Sequence, residues 1–226
     1  MEKKIPVELL NLNFDEGQVL LIDKPYTWSS FQALKKVKYQ LKIKKIGHAG
    51  TLDPLATGLL ILCTGKKTKE IDSYQAQEKE YTGTLVLGKT TPSVDLEKDF
   101  DASFPYEHIS SIDLEKVKTQ FLGDIEQTPP IFSAIKQDGK RLYELARKGQ
   151  ETEIKSRIVH IRELKFTNTA LFPEIDFRVI CSKGTYIRSL VRDIGLALQS
   201  GAYLKTLRRT RIGEFCVDDA WSIENW

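Results

Sequence analysis

The apolar runs of this chain are short and change period from one to the next, which limits it to folds that mix strands and helices. Val19–Ile22 is a continuous apolar run stopped by Asp23-Lys24-Pro25, and Leu59–Cys63 is another of the same kind. Both read as buried strands. Lys79–Leu87 alternates as a half-buried strand does, and Ile154–Phe166 and Glu174–Cys181 also read as strands. Helical spacing occurs at Phe31, Leu34, Val37 and Leu41, behind Ser29 or Ser30 as N-cap. It recurs at Ile187, Leu190, Val191, Ile194 and Leu198, ending near Gly201. Further helices are expected over Thr68–Tyr74, Leu114–Phe121 and Leu142–Lys148, the last stopped by Gly149. Ile46–Thr57 and the acidic stretch Thr90–Ser103 read as loops. Strands and helices do not alternate as regular βαβ units, so the expected class is α+β.

At 226 residues with 41% apolar and 29% charged side chains, the chain can bury a core without disulfides or structural metals. A single domain over 1–226 is expected, with no repeat and no low-complexity tract. Cys63, Cys181 and Cys216 are far apart and form no Cys-x-x-Cys pair; Cys63 and Cys181 end apolar runs and read as buried thiols. The N-terminus lacks a secretory pattern, and five residues of apolar run at Leu59–Cys63 cannot span a bilayer. A cytoplasmic protein with no membrane association is expected. Net charge is only +3, but it is segregated: Lys35–Lys45 holds six lysines and no acid, and Lys205–Arg211 adds Lys205, Arg208, Arg209 and Arg211. Such clusters permit a basic face on a nearly neutral protein, while in isolation each reads first as a solvated helix face.

Gly47-His48-Ala49-Gly50-Thr51-Leu52-Asp53-Pro54-Leu55-Ala56-Thr57-Gly58 carries the most chemical information. Pro54 biases Asp53 away from helical geometry, and its other neighbours are Leu52 and Leu55. A rigid, partly apolar loop that presents one acid is what nucleophilic catalysis by a carboxylate requires. Local chemistry alone leaves an Asx-turn carboxylate open as well. A phosphate-cradling P-loop is excluded, because Lys67 follows Gly65-Lys66 and Leu60 stands where the first glycine should be. His48 and Asp53 are too few for a metal site, and no His-x3-His or Cys cluster lies near them, so neither metal nor cofactor is expected.

Gly47–Gly58 resembles the signature loop of the bacterial tRNA pseudouridine synthase B family, and the likeness extends over about Gly17–Ile212. Leu20-Leu21-Ile22-Asp23-Lys24-Pro25 followed by Ser29-Ser30 resembles the family's N-terminal motif. Lys79-Glu80-Tyr81 resembles the strand whose tyrosine stacks on the target base. Gln127–Lys136, with Gly139, Arg141, Tyr143, Ala146 and Arg147, resembles an RNA-gripping insertion over about 128–150. Ser182–Leu190 resembles the segment whose Tyr and Arg line the catalytic pocket, and Leu207-Arg208-Arg209 a late motif that closes it.

The resemblance implies a pseudouridine synthase fold, with a mixed, largely antiparallel sheet flanked by helices. It implies isomerisation of uridine 55 in the T loop of tRNA after the base is flipped out, by an enzyme without cofactor. Asp53 would be the nucleophile, attacking C1′ or C6. Tyr81 would stack on the base and approach the proton lost from C5, and Arg188 would pair with Asp53. His48, Tyr186 and Leu207 would line the substrate, Lys69 would hold a phosphate or a loop, and Asp95 would mark the family's acidic loop. Lys136, Lys140, Arg141, Arg147 and Lys148 would meet phosphates, with Phe132 and Tyr143 packing or stacking. Two departures stand out. Pro92 and Lys98 replace an acid and a glycine of that acidic loop, and the sequence ending at Trp226 leaves no room for a C-terminal PUA domain. RNA binding would then rest on the catalytic domain and its insertion, and a monomer is expected. A catalytically silent RNA-binding module and a guide-RNA-dependent synthase are the competing classes. Retention of Asp53, Tyr81 and Arg188 opposes the first, and the missing PUA domain opposes the second, so no guide RNA is expected.

Overall fold

The structure is a computed structural model and describes residues 5–130, 136–137, 140–141 and 155–226. These fall into two compact units, residues up to Thr82 together with Leu207–Trp226, and Gly83–Thr206. In chain order the first unit opens with α1 (Val7–Leu10), β1 (Val19–Lys24), α2 (Ser30–Gln40), β2 (Ile46–Ala49), β3 (Ala56–Thr64), α3 (Ile71–Ala76) and β4 (Lys79–Leu87). The second unit begins within β4 and holds β5 (Lys89–Thr90), β6 (Ala102–Ser103), α4 (Ser111–Gln120) and β7 (Gly123–Gln127). It continues with β8 (Lys136–Gln137), β9 (Lys140–Arg141), β10 (Arg157–Asn168), β11 (Glu174–Cys181), α5 (Ile187–Ala197) and the start of β12 (Ala202–Ile212). The chain returns to the first unit within β12 and ends with β13 (Phe215–Cys216) and β14 (Trp221–Ser222). The α+β class is confirmed: strand pairing is mixed and mostly antiparallel, and helices pack against it.

In the first unit β3 is the organising strand. It pairs antiparallel with β1 from Val19↔Cys63 to Lys24↔Gly58. Its other edge is shared, Ile61–Thr64 pairing with β2 and Ala56–Gly58 pairing in parallel with Leu207–Arg209 of β12. Because both faces of β3 are covered, its sequence is a continuous apolar run rather than an alternation. Leu60 and Leu62 join Leu20, Ile22, Leu34, Val37 and Leu41 on one side, and Leu59, Ile61 and Cys63 join Ala49, Ile212 and Val217 on the other. At Gly58, a Cβ would lie 2.3 Å from the Arg209 carbonyl oxygen, so glycine is required for β3 and β12 to approach this closely.

Ser29 caps α2 in a capping box with Gln32, as the sequence suggests. Phe31 departs from expectation. It is 58% exposed, with Lys35 Nζ 4.8 Å from its ring centroid. The buried stripe runs through Ser30, Ala33, Leu34 and Val37, and a stripe that starts at Ser30 leaves Phe31 on the solvent side. The loop expected over Ile46–Thr57 is shorter, since Ile46–Ala49 forms β2 and Ala56 begins β3. Two glycines and a proline hide a strand whose partners lie in β3. The helix expected over Thr68–Tyr74 is a 3-10 segment, Gly65–Glu70, continued by α3.

In the second unit β10 pairs antiparallel with β7 and, through two register shifts, with β11. β10 alternates, with Ile158 exposed and Val159 and Ile161 buried, so only one of its faces meets the core. The expected helix Leu142–Lys148 lies outside the described residues. Cys63 and Cys181 are buried free thiols, and burial pushes the Cys63 thiol up to about 11. No helix among the described residues is long and apolar enough to cross a membrane.

Candidate active site

Asp53 stands in the connection from β2 to β3, and three buried side chains fix that connection on both sides of it. Ser30 Oγ, at the start of α2, accepts from the Leu52 N–H at 2.8 Å and donates to the Leu52 carbonyl at 3.1 Å. Lys24 is the last residue of β1 and fully buried. Its ammonium donates to the carbonyls of Pro25 at 2.9 Å, Trp28 at 2.5 Å and Pro54 at 3.3 Å. Three donors with three acceptors is the condition under which a buried ammonium is tolerable. Arg209, 1% exposed on β12, donates from Nη2 to the Gly50 carbonyl at 3.1 Å and from Nε to the Leu59 carbonyl at 2.8 Å. The loop closes on itself where the Ala56 N–H donates to the Asp53 carbonyl at 3.1 Å.

Electrostatics at this loop are set by buried cations. The Lys24 ammonium is lowered to about 8, chiefly by burial, which the Asp53 carboxylate opposes and Arg209 reinforces. At pH 7 Lys24 is protonated folded and unfolded, so burying it costs stability there; that cost is relieved as pH rises from about 8 towards the unfolded value. His48, on β2 opposite Leu62, is held below its ordinary value by burial and then by Arg209, so it is neutral at neutral pH. Its Nδ1 is buried without a hydrogen-bond partner. Leu207 pairs with Ala56, which brings β12 alongside the end of the Asp53 loop. Beside it Arg208 forks onto Asp23, Nη1 to Oδ1 at 3.0 Å and Nη2 to Oδ2 at 2.7 Å. Tyr81 is buried on β4, 8% exposed, and Lys69 is exposed in the 3-10 segment.

The second unit brings together Asp95, Arg188 and Tyr186. Arg188, in the first turn of α5, is 4% exposed. Its Nη1 donates to the Ser93 carbonyl at 3.1 Å, and its Nε lies 3.8 Å from Asp95 Oδ2. The stretch Thr90–Ser103 is therefore not a plain surface loop: Thr91, Ser93, Val94 and Asp95 are buried. Thr91 Oγ1 and Ser93 Oγ donate to the Asp95 carbonyl, and Asp95 bridges to Leu204 of β12. Tyr186 precedes α5, with the Arg157 guanidinium 4.8 Å from its ring centroid. Arg141 falls in β9 and Lys148 outside the described residues.

Lys24, Ser30 and Arg209 belong to motifs visible in the sequence, yet nothing there assigned them a task. A lysine that closes an apolar strand before proline reads as ordinary surface, so the burial of Lys24 left no local signal. If Ser30 anchors the loop, Ser30→Ala should cost about 1–3 kcal/mol, as a buried group left unpaired does. It should also slow turnover severalfold with little change in affinity. Urea unfolding and single-turnover rates measure both, and a parental rate would contradict the anchoring role.

Comparison with known proteins identifies the family. Residues 38–187 match the model of the TruB family pseudouridylate synthase N-terminal domain. Residues 188–225 match that of the tRNA pseudouridylate synthase B C-terminal domain. A tRNA pseudouridine synthase B from Flavobacterium johnsoniae is 60% identical over 215 residues, covering 92% of this chain and 93% of the relative. One from Phocaeicola vulgatus is 54% identical, covering 95% and 94%. Among solved structures, a chain in the crystal structure of a Cbf5–Nop10–Gar1 complex superposes with a TM-score of 0.72 at 29% identity. That match covers 97% of this chain and 55% of the other. The loop that carries Asp53, the strand that carries Tyr81 and the helix that carries Arg188 thus stand in a chain that belongs to the TruB family of pseudouridylate synthases.

Proposed function

We propose that the protein isomerises a uridine of tRNA to pseudouridine, at position 55 in the T loop, with Asp53 as nucleophile. The observation that carries this is the pinning of the Asp53 loop by Ser30, Lys24 and Arg209, which presents one carboxylate on a backbone with little freedom to retreat. The reaction breaks the N1–C1′ bond and forms a C5–C1′ bond; N1 gains a proton and C5 loses one, so no redox partner is consumed. A carboxylate serves it by attacking C1′ or C6, and the uridine must leave its stack to be reached. Tyr81 is assigned to stack on the extracted base and Tyr186 to line it. Arg188 is assigned to hold Asp53 in one orientation, and His48, neutral at working pH, to meet the base or its neighbours as an uncharged partner. The protein acts in the cytoplasm as a monomer on tRNA itself, without a guide. Loss of the C5 hydrogen gives a direct assay: a transcript tritiated at uridine C5 should release one tritium per tRNA with no added RNA, and no release would refute the reading.

Binding is assigned to the lysines of 35–45 and to the segment at about 128–150. On α2 the exposed face carries Phe31, Lys35 and Tyr39, an aromatic–cation–aromatic row. Affinity should then fall linearly with the logarithm of salt concentration, each phosphate contact adding slightly less than one to the slope. Neutralising Arg141 or Lys148 should flatten the slope by about one each. Unchanged slopes in both would return these residues to ordinary solvated surface.

A further inference from the structure

Gln127 ends β7 and is 1% exposed, a position where leucine would be the cheaper occupant. Its side-chain amide is engaged with a single backbone residue 59 positions away, in both directions. Nε2 donates to the Tyr186 carbonyl at 3.1 Å, and the Tyr186 N–H donates to Oε1 at 2.7 Å. An amide so used is a peptide analogue, and the two bonds reproduce the pairing of one residue in a sheet, so neither Tyr186 torsion can turn without breaking one of them. The ring of Tyr186 is fixed independently by the Arg157 guanidinium, which itself donates to the Gly184 carbonyl. The next residue, Thr128, is tied to the same helix start. Its carbonyl accepts from Ser189 Oγ at 2.8 Å and from Arg192 Nη2 at 3.1 Å.

We propose that Gln127 is a positioning residue for the isomerisation: it acts through Tyr186, holding that ring in the orientation in which it lines the target uracil. The inference rests on the reading of Tyr186 as a pocket residue of a tRNA pseudouridine synthase. It adds a role for a buried glutamine that leads directly into the segment assigned to RNA gripping. Tension on that segment would reach Tyr186 through Gln127 and α5 through Thr128.

The test is a double-mutant cycle on the full chain with an unmodified tRNA transcript, reading single-turnover rate, affinity and melting temperature. Gln127→Leu removes both bonds and is expected to slow the chemical step about tenfold or more, as a misplaced reacting group does, with affinity within twofold. Tyr186→Ala should slow it as well, and the double variant should be no slower than Tyr186→Ala alone, since the first change acts only through the second residue. A parental rate for Gln127→Leu below its melting temperature overturns the inference. So does slowing by the same factor in both backgrounds, which is what general destabilisation produces. Should Gln127→Leu fail to fold, Gln127→Met fills similar space and likewise removes both bonds. It should show a slowing that disappears in the Tyr186→Ala background, and a parental rate for Gln127→Met also overturns the inference. If Tyr186→Ala itself turns over at the parental rate, the pocket reading of Tyr186 falls and this inference falls with it.

Discussion

Asp53→Asn is expected to leave no measurable turnover on unmodified tRNA while affinity stays within severalfold of the parent. The amide has the size of the carboxylate, and the substitution leaves in place the bonds that Ser30, Lys24 and Arg209 make to the backbone of Leu52, Pro54 and Gly50. What is lost is the charge that attacks. A fall of at least ~1,000-fold, about 4 kcal/mol of barrier, separates loss of the nucleophile from mere perturbation of a supporting group. The substitution also removes the influence that opposes burial at Lys24, so that ammonium should titrate below its present value of about 8. Turnover above a small fraction of the parental rate in single-turnover assays would sink the assignment of Asp53.

Arg188→Lys should lower turnover by about ten- to a hundredfold with binding barely changed. Arg188 is 4% exposed and spreads its guanidinium between the Ser93 carbonyl and Asp95. A planar fork holds several acceptors in fixed directions, and a lysine ammonium on a flexible stem does not. The role proposed for it is orientation of Asp53, which charge alone does not supply. Arg188→Ala also strips Asp95 of a buried ion-pair partner, at a cost of about 3–5 kcal/mol, so melting temperatures must accompany the rates. An arginine that merely met an RNA phosphate would behave differently: the lysine variant would stay nearly as active, and the alanine variant would chiefly weaken binding and flatten the salt dependence. That result would refute the orienting role.

The candidate site residues were more legible in the sequence than the residues that support them. Asp53 stood out because an acid among Leu52, Pro54 and Leu55 is an odd arrangement for a surface loop, although local chemistry alone left an Asx turn open. Local pattern found β1, β3, β4, β11 and α5, since each has enough apolar residues at one period. It missed β2, a four-residue strand that includes Gly47 and depends on pairing with β3, and β12, where Lys205, Thr206, Arg208 and Arg209 interrupt the apolar positions. Arg209 looked like part of a basic surface cluster and is instead a buried clamp, because its partners are carbonyls of Gly50 and Leu59, 159 and 150 residues distant. Phe31 failed the other way: its spacing fits the apolar stripe of α2, but the commitment of Ser30 to Leu52 fixes the rotation of the helix and leaves the ring in solvent. Long-range backbone contacts of this kind leave no local trace.

The central claim is that Asp53 of this chain makes pseudouridine in tRNA without help from a guide. Incubating the purified protein with an unmodified tRNA transcript and mapping pseudouridine residue by residue, beside the Asp53→Asn variant, tests it most directly. One modified uridine, at position 55 of the T loop, present with the parent and absent with the variant, is the result expected. A parent that leaves every uridine unchanged, or a variant that yields the same product as the parent, would contradict it.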